Sequence, residues 1–442
     1  MGMVNRMKRR KRKSAKRYII SMIGLLSGLI MVILIMESVT GWRIKDLTKG
    51  LTAKTINTVT EITELETMSK VMDFSVKLLK SSVAKSENTL ISPLSSLNAL
   101  AMVAVGAEGD TRTQMEEAVG FSVEEWKEYV FLYQQGLAEA GTNSLKQSNS
   151  IWLNEESEMK IKQSYLQTIT DYFGASVYQI SFDDKTRKEV NLYLSKETNG
   201  TIKEILPELS EEAVMYLVSI MSFDCEWSKP YDEYQIHEKT FTTEQGIERK
   251  VHMMRGKEFY YLVDEKSVGV MKYYDKGRYA FVALLPNEGI FMQEYISTLS
   301  GSGILQTMNQ VENRPIIMEL PQFQLYTSED LKSSLEMMGV TEGFNREQAD
   351  FNGIATLNFG NLYIEDIVQK TYIEVNEHGT RAGAATVIAA PTETAIEEEP
   401  IYINFDRPFV YMVPLPKVNS ECRNKEKQRD ILSWKKFDTH LQ

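Results

Sequence analysis

The sequence predicts an α+β fold, a single large body of mixed helices and β-sheets with no internal repeat. Two apolar patterns support it: helical spacing near the start of the globular region, and strand-like alternation from Val268 to Leu285. The chain has 442 residues, of which 43% are hydrophobic and 25% are charged. This composition is ordinary for a globular protein, and the length is sufficient for a large core.

The N-terminal residues differ from the rest. Residues 1–17 carry nine lysines and arginines and no acid, and residues 18–36 are uncharged and rich in Ile, Leu and Met, as in a bacterial signal region. Such an apolar run is just long enough to span a bilayer as a helix. A basic block before it keeps the N-terminus in the cytoplasm. We predict a membrane anchor at 18–36, with a cleaved signal peptide as the alternative; either way the body is exported and extracellular.

A polar stalk is expected between the anchor and the body. Residues 37–66 are rich in Thr and show little apolar periodicity. The formal net charge of the chain is −11, so the basic tip leaves about −20 for the remainder. An acidic body argues against a nucleic-acid partner.

Helical spacing and end signals predict four helices within the body. They cover residues 68–79, 97–105, 110–119 and 331–338. Asp110 is expected to cap the third helix, and Gly120 and Gly339 to end the third and fourth. Residues 268–285 read as a hairpin whose second strand, 279–285, is apolar enough to be buried on both faces.

Sequence signatures of catalysis are missing from the chain. The four histidines, at 237, 252, 378 and 440, share no metal-binding spacing, and neither Cys225 nor Cys422 lies beside one. A serine-hydrolase elbow, a P-loop and a dinucleotide fingerprint are absent. We therefore predict that the protein is not an enzyme and uses no cofactor or metal. Both cysteines are expected to be unpaired.

A run of small residues follows a predicted strand at residues 372–375. It extends from Gly379 to Thr386 without a proline, so it is able to join a β-ladder. Alternate residues of the run would share one face of a strand, where small side chains fit a crowded sheet interior. Taken alone, the run is equally compatible with a flexible linker.

The flanks of this run resemble the serpin family. Residues 88–95, with Asn88, Ser92 and Ser95, look like the family's buried junction between a strand and a helix. Five further segments follow in family order: 106–111, 190–202, 320–323, 350–354 and 404–409. The resemblance implies a serpin domain at 67–417 with three β-sheets, about eight to nine helices and an exposed reactive loop at about 377–400. It also implies a monomer whose partner is a serine or cysteine protease.

The resemblance implies a mechanical form of inhibition. A protease cleaves the loop as bait, and the hinge then enters the main sheet as an additional strand with the protease still attached. Carried over to this sequence, Glu377 begins the hinge, and Thr380, Ala382, Ala384 and Thr386 point into the sheet. The complete hinge set is Glu377, Gly379, Thr380, Ala382, Gly383, Ala384, Ala385 and Thr386.

The bond that the protease cleaves is located by counting residues from the start of the hinge. Sixteen positions after Glu377 is Glu393, which predicts a reactive bond between Glu393 and Thr394, with 392–396 all possible. Glutamates 397–399 follow. They form either a docking surface for a basic protease or a solvated loop.

Two departures from the family pattern favour alternatives. Ser219 and Gln369 stand where the family has an Asn and a His beneath the opening sheet, and we expect them to bond each other. Trp227, at the top of the sheet, is retained. Residues 418–442 are charged and do not continue the family's apolar strands. The alternatives are a non-inhibitory binding or structural protein, or a degenerate serpin that folds poorly.

Overall fold

The structure is a computed structural model that describes residues 44–56, 64–83, 88–139, 145–197, 206, 209–274, 277, 279–380 and 399–413. The chain divides into two compact units, Met1–Lys45 and Asp46–Gln442. Only residues 44 and 45 of the first unit are described. No helix in the described ranges is long and apolar enough to cross a membrane. The anchor predicted at 18–36 lies outside those ranges.

Nine α-helices occur in the part of the chain that the structure describes, which agrees with the predicted eight to nine. They are α1 (Glu64–Ser82), α2 (Pro93–Ala104), α3 (Gly109–Val119), α4 (Val123–Glu139), α5 (Gln163–Thr168), α6 (Asp184–Glu197), α7 (Met292–Thr298), α8 (Gly301–Asn309) and α9 (Leu331–Met337). A π-helical turn, Ile169–Phe173, continues α5.

Local sequence explains where the helices begin and end. Ser92 caps α2 and Pro93 occupies its first turn, where a missing N–H costs nothing. Gly120 ends α3 with a φ of +77°, as predicted. The predicted cap at Asp110 is wrong, because Glu108 is the cap residue. Asp110 lies instead in the first turn, where a negative charge is favourable.

Seventeen strands accompany these helices in the described residues. They are β1 (Lys45–Asp46), β2 (Leu145–Asn154), β3 (Lys160–Ile161), β4 (Ser176–Ile180), β5 (Met215–Phe223), β6 (Cys225–Glu226), β7 (Ile236–Thr242), β8 (Glu248–Val263), β9 (Ser267–Tyr274), β10 (Tyr279–Pro286), β11 (Glu312–Pro321), β12 (Phe323–Asp330), β13 (Ala355–Thr356), β14 (Asp366–Val375), β15 (Gly379–Thr380), β16 (Ile401–Asn404) and β17 (Val410–Met412).

The described strands form three sheets, as predicted. Sheet A runs β4–β2–β5–β14–β15–β6, with β12 beside β14. Sheet B runs β16–β11–β8–β9–β10–β17, with β7 beside β8, and a small sheet pairs β13 with β3. The predicted hairpin is confirmed: β9 and β10 are antiparallel, and every residue of β10 is buried.

The core has a helical part and a sheet part. One cluster of buried side chains packs α1 to α4 against one face of sheet A, and a second fills the space where the upper parts of sheets A and B meet. The predicted stalk at 37–66 differs in part from the structure. Leu47 and Leu51 pack against the helical cluster, and the Leu47 N–H donates to the Val177 carbonyl at 2.8 Å. Their apolar side chains explain why this segment lies on the body.

Candidate reactive-loop hinge and sheet seam

A seam between two parallel strands runs through the middle of sheet A. β5 and β14 pair from Tyr216 and Asp366 at one end to Ser222 and Tyr372 at the other. Above this last pair the two strands are no longer hydrogen-bonded to each other, because β15 lies between β14 and β6. We call the β5–β14 pairing the seam and residues 376–380 the inserted hinge.

A tight turn after β14 sends the chain back into the sheet. The Asn376 N–H donates to the Gly379 carbonyl at 2.9 Å, and the Asn376 side-chain oxygen accepts from the His378 and Gly379 N–H groups at 3.0 and 3.2 Å. Asn side chains favour such turns because they bond backbone groups two or three residues on. The turn places β15 antiparallel to β14, with Thr380 opposite Val375.

Glycine is required at position 379 because the neighbouring backbone is so close. Gly379 faces Glu226 across the β15–β6 pairing, and Thr380 faces Cys225. A Cβ atom on Gly379 would lie 2.2 Å from the Cys225 carbonyl oxygen and 2.7 Å from the Glu226 Cα. Both contacts are with backbone, so no rotamer change relieves them. These contacts explain why the hinge has a glycine, which lacks a Cβ atom, at position 379.

Thr380 is fully buried and held by an aromatic pair. Its hydroxyl shares a hydrogen bond of 2.6 Å with the Tyr274 hydroxyl, and both residues are 0% exposed. The Tyr274 ring stacks on Trp227 at a centroid distance of 4.1 Å. Burial raises the pKa of Tyr274 well above its usual range, so the hydroxyl stays neutral and the bond persists.

Trp227 and its neighbours also bind the hinge backbone. The indole N–H donates to the Asn376 carbonyl and the Trp227 backbone N–H donates to the His378 carbonyl, both at 2.9 Å. The Tyr231 N–H donates to the Glu377 carbonyl at 2.9 Å. The Glu377 carboxylate accepts from Gln322 Nε2 at 2.7 Å. The first hinge residue is thus anchored at its backbone and at its side chain.

The ion pair of Lys272 with Glu258 packs against the rings of Trp227 and Tyr231. Lys272 is 3% exposed and donates to Glu258 Oε1 at 2.6 Å and to the Lys229 carbonyl at 3.0 Å. Its ammonium lies 5.3 Å from the centroid of the Trp227 ring and 4.5 Å from that of Tyr231. The cation thus has a carboxylate, a carbonyl and two ring faces as partners, which offsets its desolvation.

Helix α2 lies under the seam, on one face of sheet A, and Gln369 bonds β14 to the start of this helix. Its side-chain oxygen accepts from the Ser92 N–H at 2.9 Å, and its side-chain nitrogen donates to the Ser92 carbonyl and the Ser96 hydroxyl at 3.0 Å. Gln369 is 1% exposed, so these bonds replace those that water would make.

Ser219 bonds other partners than the one predicted for it. Gln369 and Ser219 are opposite one another in the seam, yet their side chains each bond elsewhere. The Ser219 hydroxyl is 2.6 Å from Asn149 Oδ1 and 3.3 Å from the Ser95 carbonyl. The expected Ser219–Gln369 bond is therefore wrong. Both side chains reach α2 instead of each other. The Ser92 N–H has no partner within the helix and donates to the Gln369 side chain.

The structure brings together most predicted site residues that it describes. Glu377, Gly379, Thr380 and Trp227 meet at the top of sheet A, and Ser92, Ser95, Ser219 and Gln369 meet beneath the seam. Asn88 differs, because it is exposed at the start of the junction. The other hinge residues (Ala382, Gly383, Ala384, Ala385 and Thr386) and the bond at Glu393 and Thr394 lie outside the described residues.

Sequence reasoning missed several participants. Tyr274, Asn376 and Gln322 hold the hinge, and Asn149 holds Ser219. The Asn-Glu-His-Gly order carried a turn signal that identifies Asn376. The others are distant in sequence and gave no signal. The described ranges contain no group of three His, Cys, Asp or Glu side chains that could hold a metal ion.

Comparison with known proteins agrees with this geometry. The family model described as "Serpin (serine protease inhibitor)" matches residues 69–420. Bovine Serpin B10 is 28% identical over 382 residues, covering 79% of this chain and 94% of its own length. Human Serpin B9 is 28% identical over 372 residues, covering 80% of this chain and 97% of its own length.

Two solved structures of a thermophilic serpin, tengpin, resemble the chain. The native form has a TM-score of 0.78 at 34% identity, covering 84% of this chain and 95% of its own. The latent form has a TM-score of 0.67 at 36% identity, covering 74% of this chain and 88% of its own. The hinge at the top of the sheet, the seam below it and these matches have one explanation: the chain belongs to the serpin family of protease inhibitors.

Proposed function

We propose that the chain inhibits a serine or cysteine protease as a suicide substrate, through cleavage of its loop and insertion of the hinge into sheet A. The observation that carries the proposal is the inserted hinge. β15 already pairs on both sides: Thr380 with β14, and Gly379 and Thr380 with β6. A strand that has begun to enter a sheet needs no new nucleation step to continue.

The seam has the properties that continued insertion needs. If the register of Thr380 with Val375 and Cys225 continues, position 383 would be the first to separate a pair of the seam, Ser222 and Tyr372, and each further residue would separate one more. Hydrogen bonds lost between β5 and β14 would be replaced by bonds to the new strand on both of its edges. Ala382, Ala384 and Thr386 are the next inward residues, and they are small enough for this path.

The side-chain bonds beneath the seam set the resistance to opening. Gln369 moves with β14 and Ser219 with β5, and each is bonded to α2 or to β2 rather than to the other. The strands can separate without breaking a direct side-chain bond between them. Each side-chain hydrogen bond contributes a net free energy of about 1 kcal/mol to stability. The bonds made by Gln369 and Ser219 therefore slow the separation of β5 from β14 without preventing it.

Replacing Thr380 tests the mechanism. Thr380→Arg would force a charge into a fully buried position, so inhibition should be lost and the loop should be cleaved as an ordinary substrate. Thr242→Arg, the same change at an exposed position of β7, is the matched control and should keep the stable complex. The measurement is the ratio of covalent complex to cleaved chain; an unchanged ratio for Thr380→Arg contradicts the insertion mechanism.

The reactive bond is proposed at Glu393–Thr394. The inserted strand advances about 3.3 Å per residue, so a shift of one residue changes how tightly the protease is drawn against the body. Mass spectrometry of the fragment released from a complex identifies the bond. A glutamate at the cleaved bond would direct the inhibitor to a glutamate-preferring protease. A new N-terminus at Ala395 or beyond would contradict Glu393 and that preference.

A non-inhibitory binding protein is the second candidate. It is favoured by the direct attachment of Gln369 to α2, which stabilises the closed sheet, and by the predicted charged tail at 418–442. Such a protein would be cut in the loop without gaining stability.

We further propose an extracellular monomer, attached to a membrane through 18–36 or secreted after cleavage; fractionation and mass spectrometry of the mature N-terminus test this.

A further inference from the structure

An exposed surface borders the chain segment that follows the loop. β16 pairs with β11 and β11 with β8, so that Tyr402, Ile317 and Lys257 form one row across three strands. Tyr402 is 64% exposed. Two residues beyond Lys257, Phe259 is 45% exposed, and the Lys257 ammonium lies 5.6 Å from its ring centroid. We call Arg255, Lys257, Phe259, Ile317 and Tyr402 the β16 face.

The charge presented by this face is positive on an acidic chain. Glu319 is only 10% exposed because basic side chains surround it: Lys239 Nζ is 2.7 Å, Arg255 Nε 3.9 Å and the His237 ring nitrogen Nε2 3.4 Å from its carboxylate. Arg255 itself remains 53% exposed. The exposed Glu399 immediately precedes β16, so the cationic part of the surface is centred on β8.

We propose that the β16 face is an exosite that binds the acidic surface of a protease held at the reactive loop. The proposal rests on the proposed inhibitory function. Ile401 lies eight positions after Glu393, a span of at most about 28 Å when fully extended. A protease domain of about 200 residues has a diameter of about 40 Å. A protease held at the predicted bond is therefore wide enough to reach β16.

The composition of the face suits a protein partner. Exposed aromatic and arginine side chains are the residues that most often carry binding energy in protein interfaces. Isolated exposed apolar residues are normal, but here two exposed rings, Phe259 and Tyr402, and the half-buried Ile317 adjoin two cations. The cations would raise the association rate with an acidic partner, and the aromatic rings would slow its dissociation.

A loop variant makes the test independent of the natural target. Glu393→Arg provides a cleavage site for trypsin, whose anionic and cationic forms share specificity for arginine and differ in surface charge. Association of catalytically inactive forms of both trypsins is measured at low and high salt. Arg255→Glu/Lys257→Glu, added to Glu393→Arg, should slow association of anionic trypsin about tenfold at low salt and leave cationic trypsin as fast or faster.

Controls match the charge change and the loss of an aromatic ring. Lys185→Glu/Lys188→Glu, on the exposed side of α6, reverses two charges and should leave both rates unchanged. Tyr402→Ala should speed dissociation of anionic trypsin severalfold, whereas Phe359→Ala, at a 92% exposed ring, should not.

Inactive trypsins report docking even if active trypsin forms no covalent complex, so failure of the inhibitory function is seen separately. Equal rates for all variants, or no binding of either inactive trypsin, would overturn the exosite.

Discussion

At the scale of single residues, the hinge depends on one buried hydroxyl pair. Thr380 and Tyr274 share a hydrogen bond of 2.6 Å in a site closed to water. Neither hydroxyl has a solvent alternative there, so removing one leaves the other without that partner.

Tyr274→Phe should loosen the hinge. The Thr380 hydroxyl would remain buried without its bond, which costs about 1–3 kcal/mol. The inserted hinge should therefore leave the sheet more often, and limited proteolysis should cut the loop faster. Tyr133→Phe is the control, since the Tyr133 hydroxyl has no hydrogen-bond partner within the described structure. Equal cutting rates for the two variants would contradict the role of Tyr274.

Gln369→Ala should destabilise the closed sheet more than Ser219→Ala does. The first change removes three bonds and leaves the buried Ser92 N–H without a partner, whereas the Ser92 carbonyl keeps its bond from the Ser96 N–H. The second removes one hydroxyl donor. We expect a loss of about 2–3 kcal/mol in the free energy of unfolding for Gln369→Ala and about 1 kcal/mol for Ser219→Ala. Urea unfolding measures both; a larger loss for Ser219→Ala would contradict the anchoring described here.

At the scale of elements, β15 exists because two strands above the seam leave room for a third. Gly379→Ala should expel β15, since its Cβ would meet backbone atoms of Cys225 and Glu226. Amide hydrogen exchange at 379 and 380 should become fast. Gly343→Ala is the control, because its nearest neighbour is the flexible Met115 methyl group at 3.1 Å. Unchanged protection at 380 in Gly379→Ala would show that the hinge tolerates a side chain there.

The elements were predictable where the pattern is local. The helix at 97–105, the hairpin at 268–285 and the helix ended by Gly339 follow from periodicity and glycine signals within a few residues. The entry of Thr380 into the sheet after cleavage was expected from the family resemblance, but its insertion in the uncleaved chain was not predictable, because its partners Tyr274 and Cys225 are more than 100 residues away in sequence. The wrong Ser219–Gln369 bond has the same origin: side-chain partners depend on strand register and on the position of α2, which no local pattern encodes.

At the scale of the whole molecule, buried tyrosines make stability sensitive to alkaline pH. Burial raises the pKa of Tyr295 to about 12 and that of Tyr133 well above its usual range. A group whose pKa is raised in the folded state contributes stability that is complete below its unfolded pKa, about 10, and is lost as the pH rises toward the folded value.

The free energy of unfolding should therefore fall above about pH 10. Tyr133→Phe removes one group that ionises only on unfolding, so the slope should become shallower by about 1.4 kcal/mol per pH unit. Urea midpoints at increasing pH measure this slope. An unchanged slope in Tyr133→Phe would mean that Tyr133 is accessible to hydroxide in the folded state.

The most direct test of hinge insertion is thermal melting before and after a single cut in the loop. If the hinge completes its entry into sheet A, the cut chain gains a central strand and its melting midpoint should rise by tens of degrees. The same cut in Thr380→Arg should give no rise, because the charged side chain blocks the first inward position. A cut wild-type chain that melts at the temperature of the intact chain would contradict insertion and favour the non-inhibitory binding protein.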